Sequence, residues 1–323
     1  MQHKVVGIDV GYGYTKIITE AGNGMVIPLS FPSIVATYQG GEIEIDGLRQ
    51  SDRQVVRVDG QMLLVGEAAL KHGGRVLNGR EKGWISTTAY KALMLRALSM
   101  AEANSLSLTI VTGLPVNFYR SDKDKLVNIV RELIKDYCLN LTVKVIPQPL
   151  GSFFSLLFDD SGNVKEPHMA DQKIGVLDIG FYTTDLLTID ALEVAEKQIG
   201  SFENGVSTAL EAIAKDIANI YEIRPDLHKT EEAVKKGFIK VFGSEKSIKE
   251  IAEQRLQELE QEIEAQAKTI WKSGVDLDRL LLTGGGAELL KPYLNLYQHA
   301  TVIPEAQSAN ALGYYRYGRR AAQ

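Results

Sequence analysis

The chain has 323 residues, 45% of them hydrophobic and 24% charged, with a formal net charge of −5. That length suits two domains of roughly 150 residues better than one core. The acidic balance argues against a dedicated nucleic-acid binder, and no apolar run reaches the roughly 18 residues that a membrane span needs.

Met1-Gln2-His3-Lys4 leads straight into a strand pattern, so no signal peptide is expected. Cys138 is the single cysteine and can form no internal disulfide, which fits a cytoplasmic location. His3, His72, His168, His228 and His299 show no ligand spacing, so no protein-ligated transition metal is expected.

Residues 4–9 read as a buried strand and 14–19 as its hairpin partner. Residues 25–35 form another apolar stretch, interrupted by Pro28 and Pro32. "GGEIEIDG" alternates as a half-exposed strand would, and "QVVRVDGQMLLVG" predicts a hairpin turning at Asp59-Gly60. Residues 36–75 therefore read as a small sheet inserted into a larger domain. A helix is expected from Trp84 to Asn104 and a buried strand over 106–115. Ser121 is the expected N-cap of a helix over 122–137. "LTVKVIPQP" predicts a strand and "LGSFFSLLF" a helix, and the polar stretch 162–172 is the expected domain boundary.

Then the opening pattern returns. "IGVLDIGFYTTD" (174–185) has the layout of "VVGIDVGYGYTK" (5–16): apolar strand, Asp, apolar residue, Gly, aromatic, then threonine on the return strand. Asp178 follows Asp9 by 169 residues, about half the chain, as in a duplicated domain. Strands over 182–190 and 192–199 and helices over 205–221, 230–236 and 245–272 follow. "DRLLLTGGGAELL" predicts a strand, a glycine triplet and a helix start; strand 300–303 and helix 306–318 close the chain. The alternation predicts an α/β fold with largely parallel central sheets. The apolar stripe of 245–272 is that of a packed amphipathic helix, not a coiled coil. Arg316, Arg319 and Arg320 read as a solvated helix end, and Trp84 and Trp271 as packing residues.

A strand that ends in Asp and opens into a glycine turn brings two things together. Glycine lets backbone N–H groups approach phosphate oxygens, and the carboxylate stands where a cation must balance their charge. One such hairpin is common at strand ends; two, half a chain apart, favour chemistry. Asp9 and Asp178 are the candidate Mg²⁺ contacts, direct or through water. Lys16 is placed to reach β- or γ-phosphate, and Thr15, Thr183 and Thr184 to add hydroxyls. Gly284, Gly285 and Gly286 leave a bare backbone surface that suits a base, a ribose or a phosphate at a helix start. Neither GxGxxG nor GxxxxGK[ST] occurs, which removes the dinucleotide and P-loop readings.

Together these features resemble the actin/chaperone/sugar-kinase ATPase superfamily, and within it the ParM-like plasmid-segregation branch and its archaeal relatives. Five stretches resemble the family's motifs, in its order. Asp9 to Lys16, with Gly11, Tyr12, Gly13 and Tyr14, resembles the first phosphate loop, and Gln148 to Ser152 the first connection. Asp178 to Asp185, with Gly180, Phe181 and Tyr182, resembles the second phosphate loop. Leu282 to Ala287 resembles the adenosine motif and Ala306 to Tyr315 the second connection.

The resemblance implies two RNase H-like domains, 1–160 plus 305–323 and 161–304, clamping ATP or ADP with Mg²⁺. It implies catalysis by Gln148, Asp9 and Asp178, Gln148 orienting the attacking water for slow hydrolysis, and Glu231 and Lys235 flanking adenine and ribose. It also implies head-to-tail self-association into filaments, with a DNA-binding adaptor protein as possible partner and no direct nucleic-acid or membrane contact. A non-polymerising ATP-switched module and a small-molecule kinase of the same superfamily are the alternatives.

Overall fold

A computed structural model describes residues 3–40, 55–77, 83–103, 105, 107–136, 138–294, 297 and 299–323. Most of "GGEIEIDG" lies outside the described residues. The chain divides into two compact units, Met1–Glu166 with Asn310–Gln323, and Pro167–Ala309. In the described residues no helix is long and apolar enough to cross a membrane.

The first unit runs β1 (Lys4–Val10), β2 (Tyr14–Glu20), β3 (Val26–Pro32), β4 (Val35–Thr37), β5 (Val55–Val58), β6 (Gln61–Val65) and α1 (Glu67–His72). It continues through α2 (Thr88–Met100), β7 (Ser107–Leu114), α3 (Val116–Ile134), β8 (Asn140–Pro147) and α4 (Gln148–Leu157). The second unit holds β9 (Lys173–Ile179), β10 (Thr184–Asp190), β11 (Glu193–Phe202), α5 (Val206–Tyr221), α6 (Leu227–Lys236), β12 (Phe238–Val241) and β13 (Ser244–Ser247). It ends with α7 (Lys249–Trp271), β14 (Arg279–Thr283), α8 (Gly285–Leu290) and β15 (Ala300–Val302); α9 (Ala309–Ala321) then packs in the first unit.

The main sheets have one topology, β3-β2-β1-β7-β8 and β11-β10-β9-β14-β15. Each is mixed rather than largely parallel. The hairpin strands pair antiparallel, and the strands reached through helices pair parallel. Apolar runs report burial on both faces but not strand direction, which explains that difference. Val6, Ile8 and Val10 face the core under α2 and α3, while Val5 and Ile18 face α9. β3 tolerates Pro28 and Pro32 because it is an edge strand.

The small sheet is β4-β6-β5, and the expected turn is there, with Asp59 at φ 49° and Gly60 at φ 78°. Three expectations need correction. Ser121 is not an N-cap: α3 begins directly after Pro115, and the Ser121 hydroxyl lies inside the helix, donating to Phe118 O. Pro115 ends β7 and already carries the φ of a helix start, so no polar cap is needed. α4 likewise starts at Gln148, two residues early, with Pro149 in its first turn. Finally, the long helix starts at Lys249, because 238–247 forms the hairpin β12–β13 around Phe242 and Gly243, both at positive φ.

α7 buries Leu256, Leu259, Ile263 and Ala267, and the helix packs against α5 and β11. At its end the Trp271 indole donates to the buried Thr188 hydroxyl at 2.8 Å, a packing role as expected.

Candidate functional site

In the first unit the β1–β2 register sets Asp9 directly opposite Lys16. Directly opposed residues have close Cβ atoms, so opposite charges there meet. Lys16 Nζ lies 3.0 Å from Asp9 Oδ2, with side-chain exposures of 15% and 6%. Gln148 Nε2, from the first turn of α4, donates to the other oxygen, Asp9 Oδ1, at 3.2 Å. The structure thus joins Asp9 and Lys16 of the first hairpin with Gln148 from a distant segment.

Gly11 opens the turn above them. A Cβ there would stand 2.9 Å from Tyr14 O and 3.1 Å from Lys16 Nζ, so the lysine amine lies at the loop itself. Gly13 O accepts from Ser33 N at 2.9 Å, which ties the loop to the end of β3. Tyr12, at the tip, stacks on Trp84, with centroids 5.3 Å apart and planes at 24°. Thr15 points inward; it is fully buried and its hydroxyl pairs with Ser33 Oγ at 2.9 Å.

In the second unit the equivalent turn is as tight at its first glycine. A Cβ at Gly180 would stand 3.0 Å from Thr183 O, and Gly180 N donates to that carbonyl at 2.8 Å. α5 holds the turn from behind: Val206 N and Ser207 N donate to Gly180 O and Phe181 O at 3.1 and 2.8 Å. Helix-start N–H groups need such acceptors. Gly205 admits the contact, because a Cβ there would lie 2.7 Å from both carbonyls. Phe181 and Tyr182 meet edge to face above the loop. The Thr184 hydroxyl is fully buried and donates to Asn204 O, so it does not face the turn; Thr183 is half-buried and donates to Asp185 Oδ2 at 3.1 Å.

Asp185 is the residue that sequence reasoning missed. It stands opposite Asp178 in the register, where the first copy has Lys16 opposite Asp9. Both aspartates are buried, at 7% and 2% exposure. Like charges directly opposite are destabilising, so this position suits a cation. The signal was present: Asp185 is 169 residues after Lys16, the offset of the two loops. Among the described residues no three His, Cys, Asp or Glu side chains form a metal cage. A carboxylate pair fits Mg²⁺, which keeps most of its other positions for water and phosphate.

The glycine triplet adjoins Asp178. Gly284 has φ 86°, and a Cβ on it would lie 2.5 Å from Asp178 Oδ1. Gly285 and Gly286 open α8, and a Cβ on Gly286 would strike Ile179 Cγ2. Glu231 and Lys235 are elsewhere in the second unit, on α6, paired with each other at 2.5 Å.

Two family descriptions match this chain: "Actin like proteins N terminal domain" over residues 7–151 and "Archaeal actin homologue MreB-like, C-terminal" over 176–296. The chain is an actin-like protein. This actin-like chain is 26% identical to an archaeal actin homolog of Thermoplasma volcanium, across 96% of its own length and 97% of the relative's. It is also similar to the ParM of a 15-stranded filament from Clostridium botulinum (TM-score 0.76, 20% identity, 99% and 100% of the two chains covered). The archaeal actin homolog Ta0583 in complex with ADP gives a TM-score of 0.73 at 22% identity, covering 98% and 99%.

The connection motifs meet in the first unit of the actin-like chain. A Cβ on Gly313 of α9 would overlap Gly151 O of α4, and Ser152 N and Oγ both bond Asn310 Oδ1, at 3.0 and 2.7 Å. These small residues bring the terminal helix close against its neighbour.

Proposed function

We propose that this chain is an ATPase that binds ATP with Mg²⁺ through its two phosphate loops and assembles head to tail into nucleotide-dependent filaments. The observation that carries the reading is the duplicated glycine turn, with Asp9 and Asp178 buried at the same register position in each unit. The ADP complex of one similar protein and the filament of another support it.

When bound with the nucleotide, Mg²⁺ supplies charge neutralisation on the phosphates, and Asp9, Asp178 and Asp185 are the residues that would hold it. Lys16 leaves Asp9 for a phosphate oxygen, for which a mobile point charge is suited. Gly11 and Gly13 would expose backbone N–H groups to the phosphates, Gly180 closes the second turn through its N–H to Thr183 O, and Tyr12, Tyr14, Phe181 and Tyr182 shape the loop surfaces. Thr183 is the hydroxyl best placed on the second loop. Gly284 to Gly286 would face the adenosine, with Glu231 and Lys235 at its edge.

Gln148 orients the attacking water. A neutral amide cannot take its proton, so hydrolysis is slow and times the filament. The cellular role we infer is plasmid or DNA segregation, or intracellular positioning, in the cytoplasm, with DNA reached through an adaptor protein.

Sedimentation with Mg·ATP, Mg·ADP and no nucleotide tests the assembly. The chain is expected to pellet with Mg·ATP and to stay in the supernatant without nucleotide. A chain that binds ATP but remains monomeric at high concentration refutes filament formation and leaves an ATP-switched module.

A further inference from the structure

Gly11 and Gly13 flank the tip of the first phosphate loop, and Gly13 O is tied to Ser33 N. Tyr12 between them meets a side chain 72 residues away. Its ring stacks on Trp84 at 5.3 Å and 24°. Trp84 in turn meets Tyr90 of α2 edge-on, with centroids 5.6 Å apart and planes at 86°.

This platform is anchored. Trp84 begins a single 3₁₀ turn after Gly83, whose φ of 84° favours glycine, and its carbonyl accepts from the Thr87 hydroxyl at 2.7 Å. Ile85 and Tyr90 on either side are buried in the core of the unit. Burial pushes the Tyr90 hydroxyl pKa far up, so this ring stays neutral beside Asp9. The Trp84 Nε1 is buried and makes no hydrogen bond among the described residues. A buried donor without a partner is costly, and a phenylalanine would avoid that cost. The indole face against Tyr12 is the contact that distinguishes this position.

We propose that Trp84 is a positioning residue for nucleotide binding: its stack with Tyr12 holds the tip of the first phosphate loop ready for phosphate, and the indole senses the loop when phosphate enters. This rests on the reading of the loop as an ATP site. Aromatic pairs of this kind contribute enough to change an affinity by about two- to tenfold.

The test uses the full chain and Mg·ATP. Trp84→Ala and Tyr12→Ala are each expected to raise the ATP Kd by about three- to tenfold, and the double variant no further than either alone. Trp84→Phe, which keeps a stacked ring, is expected to stay within about twofold of the parent. Trp271, the other tryptophan, is buried in the second unit on Thr188, so a Trp271→Phe background isolates the Trp84 emission. That emission is expected to shift with ATP and to saturate at the calorimetric Kd. If Trp271→Phe does not fold, the difference between parent and Trp84→Phe spectra gives the same signal. Bound ATP with unmoved Trp84 emission, or a folded Trp84→Ala variant with parental affinity, overturns the proposal while the ATP site stands. A parent chain that takes up no ATP overturns the site itself and the proposal with it.

Discussion

Asp9→Asn is expected to lower ATP turnover by about 100- to 1,000-fold, the usual cost of losing one preorganised electrostatic group at a reacting centre. Asp9 is buried, and one oxygen meets Lys16 while the other accepts from Gln148. Asparagine keeps the shape and the contact with Gln148 but removes the charge that balances Lys16 and would face the metal. The fold should suffer less. Lys16 retains 15% exposure and can reach water, so about 1–3 kcal/mol is at stake. A steady-state phosphate-release assay beside a thermal melt separates the two effects. Turnover within about threefold of the parent would remove Asp9 from the catalytic assignment. The same experiment on Asp185→Asn checks the residue that register alone points to, with a loss in Mg²⁺ dependence expected.

The second large effect falls on the fold. Gly313→Val should cost more than about 4 kcal/mol and leave the first unit largely unfolded, because overpacking here strikes backbone and no rotamer relieves it. The new Cβ would overlap the Gly151 carbonyl and lie 2.8 Å from Ser155 N. α9 cannot simply lift away. Tyr314 and Tyr315 are fully buried against the sheet, and the Asn310 side chain satisfies Ser152 in the α4 helix. Gly7 on β1 also lies close under α9, where a Cβ would overlap Ala311 O and stand 2.6 Å from Tyr315 N. Urea denaturation followed by circular dichroism gives the stability change. A midpoint equal to that of the parent would show that α9 does not pack as described.

What could be read in advance follows the physics of each element. The two loop hairpins were legible because a buried strand, an aspartate and a glycine turn carry their geometry locally. Their repetition made the duplicated architecture legible too. The close approach of α9 to α4 rests on Gly313 and Gly151, which no local pattern pairs. The β12–β13 hairpin was not legible: "SEKS" is fully exposed and polar, with no alternation to read, and its turn places Phe242 where Asn or Asp would be expected. The start of α3 was hidden because Pro115 both ends the strand and presets the helix.

Within the candidate site, the resemblance marked Gln148 as a site residue, but its approach to Asp9 spans 139 residues and had no local pattern to announce it. The Tyr12–Trp84 stack had no sequence signal, since nothing in a single sequence couples rings so far apart. The partners of Thr15 and Thr184 were equally invisible. Strand alternation assigns a hydroxyl to a face, but only the fold shows that Ser33 and Asn204 O already engage these two.

The most direct test of the central claim is calorimetric titration of ATP into the intact chain, with Mg²⁺ and then with EDTA. One ATP is expected to bind saturably per chain with Mg²⁺, clearly weaker in EDTA and in Asp178→Asn. Absence of saturable binding at millimolar ATP, or binding unchanged in Asp178→Asn, would contradict it.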